Sequence, residues 1–103
     1  MTLERSGPAA WATHPGEILQ KDFLKPMGIT AYRLAKAIGV PQTTISEITR
    51  QKRGISADIA VRLARFFGTT EDVWMNLQKN YELAHARKKA KAAIAKIRPY
   101  QVA

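Results

Sequence analysis

The sequence predicts an all-α fold of five helices, the last one extended towards the C-terminus. Three observations predict it. Large apolar residues recur at steps of three and four, as in Ile59, Leu63 and Phe67 or Trp74, Leu77 and Tyr81, which is the period of a helix with one buried face. Thr30 and Ser56 stand where N-cap hydroxyls belong, and Gly28, Gly39 and Gly68 stand where helices end. Between Ile38 and Pro41 only Gly39 and Val40 separate two short apolar patterns, so two helices meet at a tight turn.

Taken in order, residues 1–13 (MTLERSGPAAWAT) mix Gly, Pro and small residues without a period and read as a flexible arm. Trp11 either packs on its own domain or anchors a partner protein. Helix one opens at HPGE, with proline near its first position and an acid in its first turn. It buries Ile18, Leu19, Phe23 and Leu24 and is expected to close at Pro26 and Gly28. His14, with no second ligand near it in sequence, reads as a surface or capping residue. Helix two follows Thr30, and helix three spans about residues 42–49. A polar, basic turn (Gln51, Lys52, Arg53, Gly54) leads to Ser56 and helix four, whose Ile59, Leu63 and Phe67 close the core. Glu71 and Asp72 open helix five, which carries Trp74, Leu77, Tyr81 and Ala84. From His85 the chain turns rich in alanine and lysine, so the helix is expected to continue to about Ile97 before Pro99 stops it.

The middle of the chain organises the rest. Leu34 and Ala35 lie on one face of helix two, and Gly39 supplies the positive φ that ends it. Ala35, four positions before that glycine, is small enough for the next helix to cross it closely. Ile45 and Ile48 face back to the core, which turns Gln42, Thr43, Ser46, Glu47 and Arg50 outward. Leu34, Ala35, Gly39, Ile45 and Ile48 thus form the scaffold of a helix-turn-helix, whose second helix enters a major groove.

The run LAKAIGVPQTTIS resembles the helix-turn-helix of the XRE/Cro family of lambda-repressor-like domains. The longer stretch over residues 14–84 is similar to HigA-type antitoxins in HPGEIL, GITAYRLAKAIGVPQTTISEI and ISADIAVRLARFFGTTEDVWMNLQKNYEL. The resemblance implies a lambda-repressor-like fold that binds a palindromic operator in double-stranded DNA as a homodimer and represses its own operon. It also implies a toxin partner, HigB, an mRNA endonuclease of the RelE type. The alternatives are a solitary XRE-type regulator without a toxin and a non-specific DNA-coating protein. The chain then divides into an arm (1–13), the DNA-binding domain (14–84) and a basic helical extension (85–103). The start of helix five belongs to the core by the same resemblance, and Trp74, Leu77 and Tyr81 form either a two-fold seam or more of that core.

A formal net charge of +9 and a pI near 10.3 suit a polyanionic partner. The absence of cysteine excludes a disulfide scaffold, a cysteine zinc site and a thiol nucleophile, and suits the cytoplasm. No membrane helix and no leader are expected, because no apolar stretch is long enough. The base-reading candidates are Gln42, Thr43, Ser46 and Glu47: a glutamine amide pairs in bidentate fashion with adenine, and a threonine methyl meets thymine. The phosphate candidates are Arg33, Lys36, Thr44, Arg50, Lys52 and Arg53, which fix position on a duplex without reading it. Arg50 is expected to hold Glu47 in an ion pair. Tyr32 reads as a phosphate donor or a rim residue. Arg87, Lys88, Lys89, Lys91, Lys96 and Arg98 read as a solvated tail or as contacts to phosphate or a partner protein. The chain has no HExxH, no glycine-rich phosphate loop and no GxSxG, and its two histidines sit in different elements. No enzyme, cofactor or metal is expected.

Overall fold

A computed structural model describes residues 13–101. The arm over residues 1–12, with Trp11 and its packing, lies outside the described residues. Helix α1 runs in three pieces, an α-helical Pro15–Ile18, a π-helical Leu19–Leu24 and an α-helical Lys25–Met27. After it come α2 (Ala31–Ile38), α3 (Gln42–Thr49), α4 (Ala57–Phe67), α5 (Glu71–Lys89) and a short α6 (Lys91–Ala95). No strand occurs among the described residues.

Three of the starts are held by hydroxyl caps. Thr30 Oγ1 accepts the N–H of Arg33 at 3.1 Å, Ser56 Oγ that of Ile59 at 3.3 Å and Thr70 Oγ1 that of Val73 at 3.4 Å. Two ends differ from expectation, the first only in part. Helix one closes at Gly28 (φ 65°), as expected, but Pro26 does not stop it: the chain widens into π geometry ahead of the proline, with Lys25 N–H donating to Gln20 O five residues back. The fifth helix stops early. Ala90 (φ −102°, ψ 17°) breaks it between Lys89 and Lys91, where cations stand three and four residues apart and nothing packs over them.

Leu19, Leu34, Ile45, Ile48, Leu63 and Trp74 are fully buried and join α1 to α5 in one core. Phe23, Phe67 and Trp74 stack at its far side, with ring centroids 4.8–5.9 Å apart, and Trp74 Nε1–H donates to Thr69 Oγ1 at 2.9 Å. Trp74 is 0% exposed, which corrects its place in the expected two-fold seam. Its face of α5 is already spent on α1 and α4. Leu77 and Tyr81 are half-buried, Leu77 against the same core and Tyr81 edge-on to the His14 ring at 4.8 Å.

His14 is a cap, as expected, but not a surface residue: it is 5% exposed, and its Nδ1 accepts the N–H of Gly16 at 2.9 Å. Burial pushes its pKa below the ordinary 6.5, a nearby Glu17 opposes that shift, and His85 adds to it. The unfolded chain therefore takes up the proton first as pH falls. The stability held by neutral His14 is complete above its unfolded pKa of about 6.5 and is lost as pH drops through the lower folded value. Melting curves taken from about pH 7.5 down to about pH 5 should show this loss, and His14→Asn, which keeps a capping acceptor but does not titrate, should flatten it. An equal slope in both proteins would remove His14 as its source.

Candidate nucleic-acid interface

The helix-turn-helix is built as the scaffold residues require. Leu34, Ala35, Ile45 and Ile48 are each 2% exposed or less, and Gly39 takes φ 74° while Val40 N–H donates to Ala35 O at 3.0 Å. Two residues outside the motif brace it. Arg62 on α4 donates from Nη1 to Ile38 O at 2.7 Å and to Gly39 O at 3.4 Å, while its Nε holds Asp58. A guanidinium thus sits on the last carbonyls of α2, where both hydrogen bonding and the helix dipole favour a cation. Behind α3, Gly16 of α1 lies directly against the backbone of Ile48. A Cβ at Gly16 would stand 1.7 Å from Ile48 O, so only glycine allows the two helices to meet there.

The outer side of α3 carries the expected readers. Gln42 and Thr43 are exposed in its first turn, and Ser46 and Glu47 follow half-exposed. Pro41 provides no side-chain cap, and Thr44 N–H folds back to Pro41 O at 3.0 Å. The first N–H groups of α3 are therefore presented at its positive end, a setting that favours a phosphate oxygen. Thr44 itself is a correction. It is 9% exposed, because it lies one turn before Ile48 on the inward stripe, and it leaves the set of phosphate candidates.

Glu47 is paired, though not by Arg50. Helix α3 ends at Thr49, Gln51 takes a left-handed φ of 62°, and the chain reverses so that Arg53 Nη2 meets Glu47 Oε1 at 2.7 Å. Arg50 instead turns its Nε to Ser46 O at 3.3 Å. The reversal is tied by Lys52 N–H to Glu47 O at 2.8 Å and, further on, by Ile55 N–H to Gln78 Oε1 of α5 at 2.7 Å. Arg33, Lys36, Arg50, Lys52 and Arg53 are exposed, and Lys36 Nζ lies 6.0 Å from the centre of the exposed Tyr32 ring. One acid among these cations leaves the α2–α3 side strongly positive. Among the described residues no three His, Cys, Asp or Glu side chains gather as a metal site, and no helix is long and apolar enough to cross a membrane.

The model of the helix-turn-helix family matches residues 20–74, more than half of the chain. Antitoxin HigA-1 of Vibrio cholerae is 34% identical over 84 residues, which cover 82% of this chain and 79% of that protein. The chain belongs to the XRE-type helix-turn-helix family, in its HigA-like branch. The structure of Pseudomonas aeruginosa antitoxin HigA with the higBA promoter superposes with a TM-score of 0.84 at 44% identity, covering 87% of this chain and 99% of that one. Virulence-associated protein I of Dichelobacter nodosus is 52% identical over 75 residues, 73% of this chain and 69% of that protein. This is a family of DNA-binding regulators and not of enzymes.

Three residues of the HigA-like site lie outside the helix-turn-helix run itself and have no site role assigned from sequence: Gly16, Arg62 and Gln78. The pairing of Asp58 with Arg62, four apart on one helix, is readable in sequence. The reach of Arg62 to a carbonyl 24 residues away and of Gln78 to an amide 23 residues away is not.

Proposed function

We propose that this chain is an antitoxin that binds its own operator as a homodimer, represses its own operon and neutralises an mRNA-endonuclease toxin of the HigB, RelE-like kind. One observation carries the DNA part. An exposed first turn of α3, led by Gln42 and Thr43 and flanked by five cations, stands on a scaffold similar to that of an antitoxin solved with its promoter. Gln42, Thr43, Ser46 and Glu47 read bases, and Arg33, Lys36, Arg50, Lys52 and Arg53 hold phosphates. Two copies are needed to read the two halves of a palindrome, and the half-open Leu77 and Tyr81 edge of α5 is where a second copy docks. The toxin part is supported by the antitoxin relatives and acts in the cytoplasm.

The test is a mobility-shift titration with the DNA upstream of the coding sequence and with a scrambled duplex. Gln42→Ala is expected to cost about 1–3 kcal/mol on the upstream site and almost nothing on the scrambled one. Removing Lys52 and Arg53 together should weaken both duplexes alike and make the salt dependence shallower by about 2 in log–log slope. Equal losses on both duplexes for Gln42→Ala would end its role in base reading. Co-expression with the neighbouring gene, followed by size-exclusion chromatography, tests the toxin. Tight operator binding without a co-eluting partner would favour the solitary regulator.

A further inference from the structure

The basic reversal over residues 50–55 has few apolar anchors: Arg50, Gln51, Lys52 and Arg53 are exposed, and Ile55 alone is buried. What fixes its far end is a side chain from a distant helix. Gln78 of α5 is 9% exposed and accepts the Ile55 N–H through Oε1 at 2.7 Å. Its amide fills the space beside Gly54 so closely that a Cβ there would lie 2.7 Å from Nε2. A buried amide with its acceptor committed holds one geometry, because the alternative leaves a buried N–H without a partner. At its near end the reversal is fixed only by α3 itself, through Lys52 N–H to Glu47 O and the Glu47–Arg53 pair.

We propose that Gln78 is a positioning residue for phosphate binding: through Ile55 it sets where Lys52 and Arg53 stand relative to α3, without touching DNA. This rests on the DNA-binding reading above. It separates two functions within one protein, since Gln42 and Thr43 in the first turn of α3 read bases whether or not the loop behind it is fixed; Glu47, held by Arg53, is the one reader tied to that loop. A change at Gln78 thus weakens every duplex nearly alike and leaves intact the preference that Gln42 and Thr43 carry.

The test uses the full chain with Gln78→Met, which keeps the length but removes the acceptor, and Gln78→Glu, which restores it. Binding to the upstream duplex and to a scrambled duplex is measured across a salt series, at a temperature where melting curves show each variant folded. Gln78→Met is expected to lose roughly two- to tenfold on both duplexes, with a salt slope shallower by about 1–2. Gln78→Glu should recover most of the loss. In a protein already lacking the Lys52 and Arg53 charges, Gln78→Met should cost nothing further, because its route to DNA is gone. An unchanged slope, a loss that persists in that background, or a fall in the operator-to-scrambled ratio would each overturn the proposal. Wild-type protein that prefers no duplex would sink the DNA reading itself, an outcome visible before any variant is made.

Discussion

Gly16→Ala is expected to lower stability by about 3 kcal/mol or more and to abolish operator binding. Helix propensity argues the other way, since Gly16 lies inside α1 and alanine is favoured there by about 1 kcal/mol. Packing decides the sign. The new methyl would stand 1.7 Å from Ile48 O and 2.7 Å from Ile48 C, and these are backbone atoms that no rotamer change can move aside. Relief requires α1 and α3 to separate, which opens the core at Leu19, Ile45 and Ile48. Because Ile48 belongs to α3, the movement also displaces Gln42 and Thr43 from their places over the turn. Gly39→Ala is the useful comparison. There a Cβ meets only the Arg62 guanidinium at 3.3 Å, so the cost comes from the left-handed φ of 74°, about 1–2 kcal/mol. Thermal melts of the two variants should rank Gly16→Ala well below Gly39→Ala. The reverse order would mean that α1 slides past Ile48 without cost.

That contrast also marks how far the sequence could be read. Gly39 was legible because its role is local: a helix must end before Pro41, and only a left-handed residue ends it so sharply. Leu34, Ala35, Ile45 and Ile48 were legible by the period of a helix, and the structure buries all four. Gly16 carries no such mark, as the atom it avoids lies 32 positions later in the chain. Thr44 departs from its expected role because its angular position on α3 puts it with Ile48, although it follows Gln42 and Thr43 in the chain. Glu47 found Arg53 rather than Arg50 because the i, i+3 rule holds only inside a helix, and α3 ends at Thr49. Gly28 ends helix one as expected, but Pro26 does not, because the chain widens into a π turn ahead of it and no residue type announces that turn. Periodicity therefore recovers the outward face of α3 and the scaffold beneath it. The braces, Arg62 on the end of α2 and Gln78 on the reversal after α3, arise only from tertiary approach.

The largest expected loss without any change at the DNA surface belongs to Trp74→Ala, at about 3–5 kcal/mol. Trp74 is 0% exposed and stacks with Phe23 at 4.8 Å and Phe67 at 5.9 Å, so truncation leaves a cavity that three helices cannot close together. Thr69 Oγ1, which loses the indole N–H, is half-exposed and finds water, so the cavity and not the hydrogen bond sets the cost. Against a total of about 5–15 kcal/mol for a domain of this class, the variant should melt roughly 15 °C or more lower. Size-exclusion chromatography alone would mislead here, because under the proposed dimer a chain that unfolds would also lose its second copy. The two causes separate when melting and association are followed together. Burial of Trp74 within one protomer predicts that melting falls first and that Trp74→Phe, which refills part of the space, recovers much of it. Folded, stable monomers of Trp74→Ala would instead place the indole between copies, against its burial. Leu77, half-covered by its own core, is the residue at which lost association with little lost stability is expected, and that separation of effects is what a seam on α5 requires.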